Sequence, residues 1–256
     1  MCPSIPPLDR DLADEIGGIS VLSALGSLES EPQTQVIAIL SKPPGKRTLA
    51  HILPKIQACS KPVVTCFLGE TRSFQQEDHP FRVARTLNEA AAAAVQIAGE
   101  SEKPPIPAEP QVSRIRLQVE KAAMKPGQKY IRGVFAGGTF CYQSQQILRD
   151  AGIRVSSNVP LEGNSVLTHP HSSLKHTLVD MGADEFTSGR PHPMIDSSQR
   201  RERILAEAQD PEVAVLLLDF ILGFNASADP AGELLPAITR AKEEVRKRGG
   251  FLCVTA

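Results

Sequence analysis

A chain of 256 residues can build one large domain or two small ones, each with a core of its own. Hydrophobic residues make up 41% and charged residues 22%, an ordinary globular composition, and the formal net charge of −1 removes any bulk electrostatic case for a nucleic-acid or membrane partner. Aromatic residues are only 4%, with no Trp, which argues against a base-stacking surface.

In chain order, Gly17-Gly18-Ile19-Ser20 leads into Val21, Leu22, Leu25 and Leu28 at helical spacing, with Ser20 as the expected N-cap and Pro32 as the stop. Residues 36–40 are a continuous apolar, β-branched run, as in a strand buried on both faces. After the loop Lys42-Pro43-Pro44-Gly45, residues 48–59 read as a helix despite Pro54, 62–68 as a second buried strand and 86–98 as an alanine-rich helix. Prolines crowd residues 100–110, a semi-rigid linker, and 112–124 is an amphipathic helix. A strand over 130–136 then meets Gly137-Gly138-Thr139 and a helix over 140–149 that Gly152 terminates. A short strand follows at 154–159, then a loop over 160–179 carrying His169, His171 and His176, and an apolar stretch at 177–181. Residues 184–196 are polar and Pro-rich, 199–209 helical, 213–218 the most hydrophobic strand, 232–248 helical and 251–255 a last strand.

Strands separated by helices throughout imply parallel βαβ units, so the expected fold class is α/β, with flavodoxin-like, doubly wound sheets and function at the carboxyl ends of the strands. Residues 28–40 and 206–218 match in kind: a helix end, an acidic residue with Pro nearby, then a buried strand, with a further helix and strand after each. A duplicated domain explains this, with units at 1–99 and 111–256 joined by the 100–110 linker. The first unit has no counterpart of the 130–139 strand and glycine turn, so its leading βα unit is expected to be missing.

No apolar run approaches the roughly 20 residues of a membrane span, and Met1 to Pro7 lack the features of a signal peptide. The odd set Cys2, Cys59, Cys66, Cys141 and Cys253 has no Cys-x-x-Cys spacing, so neither a metal site nor a disulfide framework is expected, and a reducing cytoplasm fits. Cys59, Cys66 and Cys253 read as small core residues, and the three histidines of 160–179 as exposed loop residues.

Gly137-Gly138-Thr139 is the clearest candidate site. Glycines allow close backbone approach, and a helix start offers free N–H groups and positive partial charge to a phosphate or carboxylate. The same residues also serve as a plain tight turn. Gly17 and Gly18 open an analogous helix start. In Ser188-Gly189-Arg190-Pro191-His192-Pro193-Met194-Ile195-Asp196, two prolines stiffen a loop that displays Arg190, suited to forking onto an anion, and His192, suited to proton exchange near neutral pH. Asp196 can instead cap the next helix.

Together the stretches Asp11-Leu12-Ala13-Asp14-Glu15-Ile16-Gly17-Gly18, 36–44, Arg132-Gly133-Val134-Phe135-Ala136-Gly137-Gly138-Thr139-Phe140-Cys141-Tyr142, 184–196 and 213–223 resemble FdrA-type proteins of the succinyl-CoA synthetase superfamily, over about residues 9–256. The resemblance implies two ligase-type domains, a phosphate held at Gly137 to Thr139, and an acyl or carbamoyl phosphate or CoA as substrate, with no resident cofactor assigned. It further implies a component of an oxamate carbamoyltransferase in allantoin and purine breakdown, working as a homo-oligomer or with partner subunits. The synthetases carry a phosphohistidine in a Gly-His-Ala-Gly stretch after the counterpart of residues 63–69. None occurs between Glu70 and Val83, where His79 has other neighbours, so a phosphohistidine relay is not expected. Nor is the CoA-binding Rossmann domain of longer members expected here. A non-catalytic assembly or regulatory paralogue is the alternative.

Overall fold

The computed structural model describes residues 11–70, 81–99, 114–223 and 225–256. The chain divides into two compact units, Met1–Pro110 and Gln111–Ala256. His79 and the whole 100–110 linker lie outside the described residues.

The first unit contains α1 (Ile19–Ser30), β1 (Ile37–Ser41), α2 (Lys46–Gln57), β2 (Val63–Phe67), β3 (Arg82–Val83) and α3 (Leu87–Ile97). Its strands form one parallel sheet in the order β1-β2-β3. Strand β2, in the middle, is buried at every position, whereas β1 alternates. The expectation that residues 36–40 are buried on both faces is therefore corrected: β1 is an edge strand, and Leu40 turns outward. Val21 and Leu25 of α1 pack with Leu49, Ile52 and Ile56 of α2 on Ile37, Val63 and Phe67. Pro54 stands in the last turn of α2, where it withholds the N–H that would bond Ala50 O, and Ala50 is exposed to solvent. Thr86 caps α3 by accepting the Glu89 N–H at 3.2 Å, while Glu89 accepts the Arg85 N–H at 2.7 Å.

The second unit contains α4 (Arg114–Ala123), β4 (Tyr130–Phe135), α5 (Gly138–Asp150), β5 (Ser156–Ser157), β6 (Ser165–Val166), β7 (Thr177–Asp180), α6 (Asp184–Thr187), α7 (Ser198–Glu207), β8 (Val213–Leu218), α8 (Pro230–Lys247) and β9 (Cys253–Thr255). All six strands are parallel, in the order β6-β5-β7-β4-β8-β9. Strand periodicity divides the core in two. Val134, Val179, Leu216 and Leu218 face α7 and α8 through Ile204, Leu234, Ala237 and Ala241. Phe135, Leu178 and Leu217 face the opposite side with Cys141 and Leu148 of α5. The sheet is thus wound on both faces. Its order differs from a flavodoxin-like 2-1-3-4-5 sheet because β7 lies between β4 and β5. The wholly buried Thr177-Leu178-Val179-Asp180 takes the central place beside β4, and the two-residue, Ser-containing β5 and β6 are left to the edge.

The segments α1-β1-α2-β2 and α7-β8-α8-β9 share one order, and in each the two strands are parallel neighbours. Among the described residues no helix is long and apolar enough to cross a membrane.

Candidate functional site

The chain leaves β4 through α5 toward β5 on one side and leaves β8 through α8 toward β9 on the other. Because α5 and α8 cover opposite faces, adjacent strands β4 and β8 bound the point where the winding reverses. In open α/β sheets that crevice, at the carboxyl ends of the strands, is where ligands bind.

Gly137, Gly138 and Thr139 stand at this crevice, at the end of β4. Gly137 is the N-cap of α5, with no side-chain cap and no acidic residue in the first turn. The Gly137 amide is drawn to the Asp219 carboxylate, so the backbone N–H groups offered to a ligand at this helix start are those that follow it. Nothing in the fold demands a glycine at 137: its φ of −160° is ordinary extended backbone, and an added Cβ would meet no atom within 4 Å. Gly133 contrasts with it, because a Cβ there would lie 2.4 Å from both Leu178 and Phe135. The starts of α7 and α8 on the same sheet are filled. Asp229 accepts the Gly232 N–H at 2.8 Å at the head of α8, and the Ser198 N–H in the first turn of α7 donates to Asp196 at 2.9 Å. That bond holds the Asp196 carboxyl below its usual range, the backbone N–H being the largest cause.

The start of α1 differs from the expectation. Gly17 and Gly18 have φ of 81° and 79°, left-handed values that favour glycine, and Gly18, not Ser20, is the N-cap. The buried Asp11 carboxylate already occupies this turn, accepting the Ser20 N–H at 2.8 Å and the Val21 N–H at 2.9 Å. Gly17 and Gly18 therefore shape a turn around an internal anion, and their assignment as a ligand site is corrected. Asp14 does the same for α2, accepting the Thr48 N–H at 2.9 Å. That bond, above all, lowers its pKa.

The loop after α6 brings His192 to the same edge of the second unit. A Cβ on Gly182 would lie 2.6 Å from His192 Nε2, 2.7 Å from Ala136 O and 3.2 Å from Asp180 Oδ1, so the imidazole is packed against the ends of β4 and β7. His192 Nδ1 accepts the Met194 N–H at 3.2 Å, which leaves the neutral ring's proton on Nε2, the nitrogen facing the strand ends. Met194 O accepts the Ser227 N–H at 2.8 Å, tying this loop to the one before α8. Arg190 is exposed and donates to Gln199 Oε1 at 3.3 Å, and Gln199 donates to Phe186 O at 3.1 Å. The structure thus places His192 at the strand ends beside the α5 turn and Arg190 on the loop's outer surface.

Sequence reasoning missed Asp219, Arg200 and Asn158. Asp219, directly after β8, accepts the Ala136 N–H at 2.8 Å and an Arg200 N–H at 2.7 Å. Burial pushes its carboxyl up from the ordinary value, against the pull of Arg200 and of the Ala136 and Gly137 amides. Asn158 joins the ends of β5 and β7, accepting the Asp180 N–H at 2.9 Å and donating to Asp180 O and Glu185 Oε1. An acidic residue closing the most hydrophobic strand was the available signal for Asp219.

Residues 134–248, from the end of β4 through α8, match the family model described as CoA-ligase. The chain is also similar to YahF, an uncharacterized protein of Escherichia coli strain K12, at 40% identity over 252 residues, covering 96% of this chain and 47% of YahF. The chain therefore spans about half the length of that relative. With its parallel sheet, its winding reversal and this match, the second unit is a CoA-ligase domain of the succinyl-CoA synthetase superfamily.

Proposed function

We propose that the second unit binds an acyl or carbamoyl phosphate by its phosphate group at Gly137 to Thr139. The observation that carries this reading is the uncapped start of α5 at the winding reversal, with a glycine at 137 that packing and backbone conformation leave optional. A phosphate there would face amide N–H groups and the positive end of α5. His192 holds the Gly-Arg-Pro-His-Pro loop against the strand ends. A proton-shuttling role for it runs through Nε2, because Nδ1 is engaged by Met194. Arg190, exposed and one side-chain bond from Gln199, is free to swing toward a substrate carboxylate.

On this reading the chain is an FdrA-like acyl-CoA synthetase relative serving an oxamate carbamoyltransferase, with CoA or the acyl phosphate as substrate and partner subunits or further copies completing the machinery. Support comes from the CoA-ligase match and from the acyl-phosphate chemistry that the site suits. The test is incubation of the protein, alone and with candidate partner subunits, with carbamoyl phosphate and oxamate. Carbamoyl transfer together with a thermal shift that requires the phosphate is the expected result. Absence of both removes the reading. A thermal shift with no turnover under any combination favours the non-catalytic paralogue.

A further inference from the structure

Beneath the β4–α5 turn lies a buried ion pair whose geometry concerns the turn more than the core. Arg200 projects from the first turn of α7, and one of its terminal nitrogens, Nη2, reaches Val134 O at 3.0 Å, Asp219 O at 2.8 Å and Asp219 Oδ1 at 2.7 Å. It thereby bridges the carboxyl ends of β4 and β8, the two strands that bound the crevice. Asp219 Oδ1 in turn accepts the N–H of Ala136, the residue before Gly137. The pair is poorly made as a stabilising element. Arg200 Nε and Asp219 Oδ2 are both buried without a hydrogen-bond partner among the described residues. A bare buried polar atom is costly, and apolar residues of similar size often replace a buried pair at no loss of stability. The neighbouring Gln199 meanwhile holds the outer loop through Arg190 and Phe186 O. Two consecutive residues of α7 thus fix the two parts of the candidate site.

We infer that Arg200 and Asp219 are positioning residues of the anion site: they hold the Phe135–Ala136 peptide, at the turn into α5, so that the first amides of α5 face the crevice, and Arg200 offsets the Asp219 charge so that an anion can approach. This rests on the proposed phosphate binding at Gly137 to Thr139. It adds residues that do not touch the ligand but set its donors.

The test replaces the pair by an apolar one, Arg200→Met with Asp219→Leu. One positive and one negative charge leave together, so a change in anion affinity reports on geometry and not on net charge. Two quantities are read: the dissociation constant for acetyl phosphate, and amide hydrogen exchange across residues 136–140 in the absence of ligand. The expected result is roughly tenfold weaker binding, the equivalent of one lost hydrogen bond to a charged group, with faster exchange confined to the turn. Unchanged affinity with unchanged exchange overturns the inference. If the wild-type protein binds no acetyl phosphate, the phosphate-binding reading fails, and the exchange measurement still decides whether the pair holds the turn. Should the double variant not fold, Arg200→Lys keeps the charge but not the planar fork, and the same two shifts in the same directions are expected. Wild-type values for Arg200→Lys contradict the inference equally.

Discussion

Gln145 shows how much of the second unit's edge depends on single side chains. It is fully buried in α5, where its Nε2 meets Cys141 Sγ, Ser157 Oγ and Val159 O while its Oε1 accepts the Leu161 N–H and an Asn164 Nδ2 proton. Gln145→Met keeps the bulk but strands the Leu161 N–H and the Val159 carbonyl, and should cost about 2–3 kcal/mol in urea unfolding. His176 gives a pH-dependent case. Its Nδ1 accepts the Ile131 N–H at 3.2 Å and its ring meets Tyr130 edge-on, so the fold needs the neutral ring. Burial, then Arg132, lowers its pKa below the ordinary histidine value of 6.5. In the window between that lowered value and 6.5 the unfolded chain binds more protons than the folded one. Stability from this group is therefore present above pH 6.5 and is lost as the pH falls through the window. Wild type should lose more stability than His176→Gln between pH 7.5 and 5.5, and parallel losses would refute this. Neither residue was legible in the sequence. A glutamine on a helix and a histidine in a Ser/Pro-rich loop look solvated until the segments that bury them are in place, and His176 is half-buried rather than exposed. Gly137 was legible as the start of a helix, because a glycine pair between an apolar strand and an amphipathic run marks a tight strand–helix turn.

At the scale of elements, the segment before α1 acts as a double cap. Asp11 closes α1 and Asp14 closes α2, and Gly45 lets Asp14 approach, since a Cβ there would lie 2.1 Å from its Oδ1. Asp11→Ala leaves the Ser20 and Val21 amides without their acceptor and should destabilise the first unit by about 1–2 kcal/mol. An unchanged unfolding midpoint would contradict that role. The glycine pair itself was readable, but the anion it serves lies in the chain, and only tertiary structure supplies it. The longest helix, α8, was legible from its sequence pattern and β8 from its unbroken apolar run, because each buries a set of apolar residues. The two-residue β3 and β6 were not resolved as such, since two residues carry no period and gain their place from the neighbouring strand, while β5 lies within the short strand expected over 154–159. Even β1, apolar from Ile37 to Leu40, gave no sign of being an edge, because an apolar run does not say how many neighbours a strand has.

At the scale of the molecule, each unit has its own apolar core, and the CoA-ligase match falls within the second. The crevice elements β4, α5, α7, β8 and α8 all belong to that unit. Residues 111–256 expressed alone should fold cooperatively and bind the same anion as the full chain, which unfolding and titration of the shortened protein would check. The central claim, that a phosphate sits on the start of α5, is tested most directly at Gly137. Its backbone is extended and its surroundings are open, so Gly137→Val fits the fold but places its side chain where the phosphate would lie. Calorimetric titration with carbamoyl phosphate and acetyl phosphate should show single-site binding to the wild-type chain and none to Gly137→Val, with unfolding midpoints that agree. Equal binding by the two proteins, or no binding by the wild type, would contradict the account.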